Sequence, residues 1–272
     1  MTKITRVPLL TLALVLCAAA VAAAHDMFLK PSRYFAPENT EVRIRVLNGT
    51  FTKSENSIAR NRLADLSVVS PTRRSPLDTA EWGVIGDTST FHIHTRGAGT
   101  YVVGVSTKPN ALTMSSADFD LYLQEDGIPD LLATRKRAGQ SADSVRERYS
   151  KHIKTLIQVG SARSDHYATI MGYPAELVPL ENPYTLAVGG TLRVRALVDG
   201  KPVANQFVLY GGTNDKNATI EQKSTRSNAE GVASIPLPQA GALYVKFINM
   251  AAVRGEAVNY ESKWATLTFQ VR

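Results

Sequence analysis

Glu41-Val42-Arg43-Ile44-Arg45-Val46-Leu47 alternates charged and branched apolar residues with a period of two, the pattern of a β-strand with one face in a core and the other in water. The alternation returns in Thr90-Phe91-His92-Ile93-His94, in Leu192, Val194, Ala196 and Val198, and in Ala265, Leu267, Phe269 and Val271. Turn signals separate these runs: Asn48-Gly49, Gly97-Ala98-Gly99, Gly189-Gly190, Asp199-Gly200, Gly211-Gly212 and Glu230-Gly231. Their spacing suits antiparallel sandwiches. Arg43-Ile44-Arg45-Val46-Leu47 is echoed by Arg193-Val194-Arg195-Ala196-Leu197, so the chain reads as two related β units.

The middle of the chain reads differently. Phe119, Leu123, Leu131, Leu132, Val145, Tyr149 and Ile153 fall at helical spacings, which predicts a helical insertion over about residues 115–153. Ser115 with Asp118, and Ser144 with Glu147, have the spacing of helix-capping pairs. Gly127 and Pro129 split the insertion into short helices, and Thr155-Leu156-Ile157-Gln158-Val159 returns to strand. Pro179, Pro183, Gly189 and Gly190 mark a boundary, giving an N-terminal sandwich over 25–180 and an immunoglobulin-like one over 183–272.

Residues 1–24 have the form of a cleaved secretory signal. Lys3 and Arg6 precede an apolar run from Val7 to Val21, and small alanines follow at 22–24. This predicts an exported, periplasmic protein. Its loss takes the chain of 272 residues from net +7 to 29 basic against 24 acidic residues, too mild and too scattered a balance for nucleic acid. The single cysteine, Cys17, lies in the leader, so the mature chain has no thiol for disulfides, zinc or nucleophilic catalysis. Gly-x-Ser-x-Gly, His-Glu-x-x-His and phosphate-loop patterns are absent, and Glu125-Asp126 beside a helix break reads as solvated, so no enzyme activity is expected.

Several further stretches resemble the exported bacterial family called DUF4198. They are His25-Asp26-Met27-Phe28-Leu29-Lys30-Pro31, Gly99-Thr100-Tyr101-Val102-Val103, Arg148-Tyr149-Ser150-Lys151, Glu176-Leu177-Val178-Pro179-Leu180 with Asn182-Pro183-Tyr184, and Glu261-Ser262-Lys263-Trp264-Ala265-Thr266-Leu267-Thr268-Phe269. Asp199-Gly200-Lys201-Pro202-Val203 through Asn228-Ala229-Glu230-Gly231-Val232 is similar to small prealbumin-like domains. The resemblance implies an all-β, two-domain periplasmic protein in nickel or cobalt uptake. Relatives tend to carry His before Met where this chain has Asn249 before Met250, which puts a ligand there in question.

The residues that carry metal chemistry are histidines. Cleavage after Ala24 makes His25 residue one, whose amine and imidazole close a chelate ring; one further imidazole would complete a brace suited to Cu(II), and oxygen ligands would suit Ni(II) or Co(II). Cleavage after Ala22 makes it residue three, where amine, two amides and imidazole form a square plane. His92 and His94 project from one face of a strand and can share a metal, with His25 as an expected third ligand; the competing reading is an ordinary solvated face. His152 reads as a helix-face packing residue, Asp165-His166 as a polar loop, and Met27 and Met250 as packing residues. Trp82, Trp264 and ten tyrosines raise a sugar-stacking surface, although Trp264 lies in a strand pattern that favours burial.

These observations lead to a non-catalytic periplasmic protein that captures Ni(II), Co(II) or Cu(II) and passes it to a membrane metal transporter. The alternatives are a structural or adhesive envelope module and a histidine-brace copper oxidase.

Overall fold

The computed structural model describes residues 25–139 and 144–272; the expected leader, 1–24, lies outside them. The first unit runs β1 (Asp26–Pro31), β2 (Phe35–Ala36), β3 (Glu41–Gly49), β4 (Leu63–Val69), β5 (Arg74–Pro76), β6 (Gly83–Ile85), β7 (Thr88–His94), β8 (Gly99–Thr107) and β9 (Asn110–Ser115). Two helices follow, α1 (Ser116–Glu125) and α2 (Pro129–Arg137), then the long strand β10 (Ser144–Val159). The remainder is β11 (Ala175–Pro179), β12 (Thr191–Val198), β13 (Lys201–Pro202), β14 (Phe207–Asn214), β15 (Thr219–Arg226), β16 (Val232–Pro236), β17 (Gly241–Ala252) and β18 (Tyr260–Val271). No helix among the described residues is long and apolar enough to cross a membrane.

The protein is all-β, built as two sandwiches with a short helical insertion. A ten-stranded sheet, in the order β15-β14-β17-β18-β10-β8-β4-β5 with β2 and β9 also on β10, forms one layer of both. Its two halves join where β10 and β18 run parallel, from Glu147 opposite Tyr260 to Thr155 opposite Thr268. The sheet β1-β3-β7-β6 covers one half, and β11-β12-β13 with β16 covers the other. The two echoing sequences, in β3 and β12, are interior strands of these covering sheets.

The alternation sets the layers. Val42, Ile44 and Val46 of β3 and Phe91 and Ile93 of β7 meet Tyr101, Val103, Ile153 and Ile157 from the large sheet. Each fully buried branched side chain contributes about 1.5–3 kcal/mol. The second core places Leu192, Val194 and Ala196 against Val245, Leu267 and Phe269.

The helical expectation holds for one half of the insertion. Ser115 caps α1 by accepting from the Asp118 amide, Pro129 opens α2, and Gly127 between them has φ +78° with no room for a Cβ against Leu209. Ser144 to Ile153 is strand, not helix. Val145, Tyr149 and Ile153 recur at intervals of four, which imitates a helix, because the positions between them on the same strand face are Glu147 and Lys151. Both of those charged residues are buried, so the true period of two is hidden in the sequence. The second capping pair is corrected with it: Glu147 accepts from Tyr122 and Ser262.

Candidate functional site

Strand β1 begins where three layers meet, and His25 stands at its mouth. The β1–β3 register, Asp26 opposite Gly49, brings His25 beside the loop that leaves β3. The Glu55 amide donates to the Asn48 carbonyl at 2.9 Å, and Ser54 accepts from the Asn48 amide and donates to the Asp87 carbonyl. These bonds fix the loop so that the Glu55 carboxylate lies 3.4 Å from Nε2 of His25, both side chains partly exposed. Among the described residues Nδ1 of His25 has no hydrogen bond.

Beneath His25 lies a nest of charges that the sequence reading missed. Lys151 of β10 donates to the His25 carbonyl, lies 3.5 Å from Oδ1 of Asn48, and sits over the rings of Trp264 (4.8 Å) and Tyr149 (5.6 Å). Lys246 of β17 pairs with Asp26 and stands 3.8 Å from Asp126 at the end of α1. Glu147 accepts from Tyr122 and Ser262, and Trp264 donates to Ser262 at 2.9 Å.

Dehydration dominates the electrostatics. Burial pushes the Asp126 carboxyl up to about 7; Asp26 adds to the rise while Lys246 and Lys151 oppose it. Burial also draws the Lys151 ammonium down to about 8, against the pull of Asp26, Asp126 and Glu147. Glu147 is raised by burial in spite of its two hydroxyl donors. Oδ1 of Asp26 and Oε2 of Glu147 are buried without a hydrogen-bond partner among the described residues. Such clusters are costly to fold and gather at functional sites.

The solvated reading of Glu125-Asp126 is therefore corrected for Asp126, whose side chain is largely covered. A legible signal was present: Lys246 in Val245-Lys246-Phe247 and Lys151 in Ser150-Lys151-His152 put charges inside strand runs that otherwise bury both faces.

His92 and His94 share the outward face of β7, while Phe91 and Ile93 are buried behind them. Their Nε2 atoms lie 3.8 Å from the two oxygens of Glu41, the cross-strand neighbour of His94. The structure does not bring this pair to His25. Asp26 pairs at the Gly49 end of β3, whereas Glu41 and Arg43 face His94 and His92 at the other end. At about 3.3 Å per residue the separation is roughly 20–27 Å. Among the described residues no group of three or more His, Cys, Asp or Glu is arranged to hold a metal ion.

The other candidates are placed as follows. His152 is not on a helix; it is buried in β10 between the Ser106 and Ser150 hydroxyls. His166 lies in a short turn with Nδ1 3.1 Å from Ser164. Met27 is in the first core, and Met250 packs beside the helices. Trp82 is buried and stacked on Phe91, and Trp264 is buried under α1, so neither tryptophan offers an exposed face to a sugar.

Comparison with known proteins gives one family match: the profile described as Domain of unknown function (DUF4198) aligns with residues 22–250. No curated protein matches the chain. Similar solved structures include trypsin-activated alpha-2-macroglobulin from Escherichia coli, with 10% identity and TM-score 0.24 over 93% of this chain and 16% of that one. A DUF4785 family protein from Legionella pneumophila has 10% identity and TM-score 0.25 over 80% of this chain and 51% of that one. A two-domain fibronectin type III segment of chicken tenascin has 12% identity and TM-score 0.22, covering 91% and 98%. The chain thus spans about a sixth and about half of the first two.

Proposed function

The chain belongs to the DUF4198 family, and from that premise we propose that it is a non-catalytic, exported metal-binding protein. It captures Ni(II), Co(II) or Cu(II) through His25 once the leader is removed, and hands the ion to a membrane metal transporter.

The observation that carries this reading is the Glu55 carboxylate on Nε2 of His25. A carboxylate beside one ring nitrogen favours the tautomer with its proton there, which leaves the other nitrogen as the donor. The donor left is Nδ1, the nitrogen that closes a chelate ring with the α-amine of the same residue. Cleavage after Ala24 or after Ala22 uses this nitrogen equally, so the geometry suits both processed forms. Lys151 on the His25 carbonyl and Asp26 on Lys246 hold the first residues of β1 against the sheet, which reduces the ordering cost of chelation. With nitrogen donors and no thiol, the site fits an ion that must later be surrendered.

The rival reading, a structural envelope module, draws support from the absence of a three-residue ligand group among the described residues. One experiment separates them. The secreted chain is stripped of metal and its intact mass and melting temperature are measured with and without Ni(II), Co(II) and Cu(II). Capture at the amino terminus predicts a stoichiometric adduct and a rise in melting temperature, because an ion at 100 times its Kd stabilises the fold by about 2.7 kcal/mol. His25→Ala should remove an ion, and acetylation of the amine should do the same. Unchanged uptake by His25→Ala would refute the proposal.

A further inference from the structure

The His92–His94 pair remains outside the site just described, and its surroundings give it a chemistry of its own. His94 is exposed by 72% and His92 is half-buried, and imidazoles that reach solvent on a strand have several rotamers open to them. Here both Nε2 atoms are turned toward a single carboxylate, His92 toward Oε1 of Glu41 and His94 toward Oε2, each at 3.8 Å. β6 pairs with β7 only from Thr88 to Thr90, and beyond that the chain continues beside β7 as Trp82, stacked on Phe91, and the short turn Thr79–Glu81. Beside His94 is a hollow lined by Glu38, Asn39, Thr95, Arg96 and Gly97.

We propose that His92 and His94 form a second binding site, a two-imidazole chelate for a late divalent transition ion such as Cu(II) or Ni(II), with the Glu41 carboxylate beside both rings adding its negative charge to the site. Two imidazoles at i and i+2 on a strand start about 6.6 Å apart and project in parallel, so modest rotation brings both nitrogens to the roughly 2 Å that such ions require. The Glu41 oxygens stand 3.8 Å from each Nε2, and water completes the coordination. The neighbouring charges are balanced: Glu38 and Glu41 oppose Arg43, which faces His92 across the strands, and Arg96. Selectivity therefore comes from imidazole affinity for Cu(II) and Ni(II) rather than from field strength, and oxygen-seeking Ca(II) and Mg(II) are excluded. The ions sit at opposite ends of β3, so the two sites fill independently.

Calorimetric titration of the processed chain with CuCl2 and NiCl2 tests this directly. The expected result is two ions per chain, no heat from CaCl2 or MgCl2, and loss of one ion in the His92→Ala, His94→Ala double variant while the other is retained. Glu41→Gln should weaken the lost class about tenfold, as removal of a carboxylate beside the ligating rings does. All three side chains are on a solvated face, so the variants should melt with the parent. A double variant that binds as many ions as the parent, with the same affinities, overturns the proposal. His25→Ala reports separately on the amino-terminal site: it should remove only the other ion, and its result leaves the histidine pair to stand or fall by its own variant.

Discussion

Acidification should destabilise this protein through one residue, His152, and the size of the effect follows from its surroundings. The ring is 2% exposed, with Nδ1 2.8 Å from Ser106 Oγ and Nε2 3.0 Å from Ser150 Oγ. Burial lowers its pKa from 6.5 to about 4; Glu176 resists that fall and Lys263 adds to it. Between pH 6.5 and 4 the unfolded chain binds a proton that the folded chain refuses, so stability falls with pH across that window. The contribution is complete above pH 6.5 and is lost once pH drops below 4. It amounts to about 3 kcal/mol, since each pH unit between the folded and unfolded pKa values is worth about 1.4 kcal/mol. Asp126 acts in the opposite sense: its carboxyl, raised to about 7, favours the folded state more as pH falls from 7 toward 3.8. The assay must therefore be a difference. Urea unfolding of the parent and of His152→Gln at pH 7.5, 5.5 and 4.0 cancels Asp126 and leaves the histidine. The gap between the two proteins should shift by about 3 kcal/mol in favour of the variant on going from pH 7.5 to 4.0. Parallel loss of stability in both proteins would show that His152 is not the group refused its proton, and the reasoning would fail.

Other perturbations have equally definite outcomes. Glu176 is buried with Lys154 at 2.9 Å and accepts from the amides of Met171, Gly172 and Tyr173. Glu176→Gln strands the ammonium and should cost about 3–5 kcal/mol in urea unfolding, whereas Lys154→Met leaves a carboxylate with three donors and should cost about half as much. Phe119 is fully buried, stacked on Tyr260 at 5.0 Å with Arg135 over its ring at 4.8 Å, so Phe119→Ala should cost about 3–5 kcal/mol and raise proteolysis within residues 116–137. Lys151→Met should weaken Cu(II) capture at His25 about tenfold and alter the visible spectrum of the bound ion, while Lys151→Arg restores the spectrum; equal spectra in all three proteins would remove Lys151 from the positioning of His25.

Much of this architecture is written in local pattern. Strands β3, β7 and β12 follow from alternation, because a pleated chain with one face in a core and one toward water has no other economical sequence, and β18 keeps the same alternation of apolar residues with threonines although both of its faces are buried from Trp264 to Phe269. The cap at Ser115, the break at Gly127-Pro129 and the common face of His92 and His94 are equally local, each decided within a few residues. The first ten residues of β10 imitate a helix because Glu147 and Lys151 stand on its buried face, and from Ser150 onward both faces are buried, with His152 and Lys154 inside, so the contrast on which pattern reading depends is lost.

The sequence by itself determined that the chain forms two sandwiches of alternating strands, and it singled out the histidines on which the metal proposal rests. Only the tertiary structure decided that one sheet runs through both sandwiches across the β10–β18 seam, that His25 and His94 stand at opposite ends of β3, and that Glu55, Lys151, Lys246 and Asp126 gather around the start of β1. The physical reason is range. Alternation and capping are settled by neighbours along the chain, whereas register and the pairing of buried charges depend on residues a hundred or more positions apart, brought together only when the layers close.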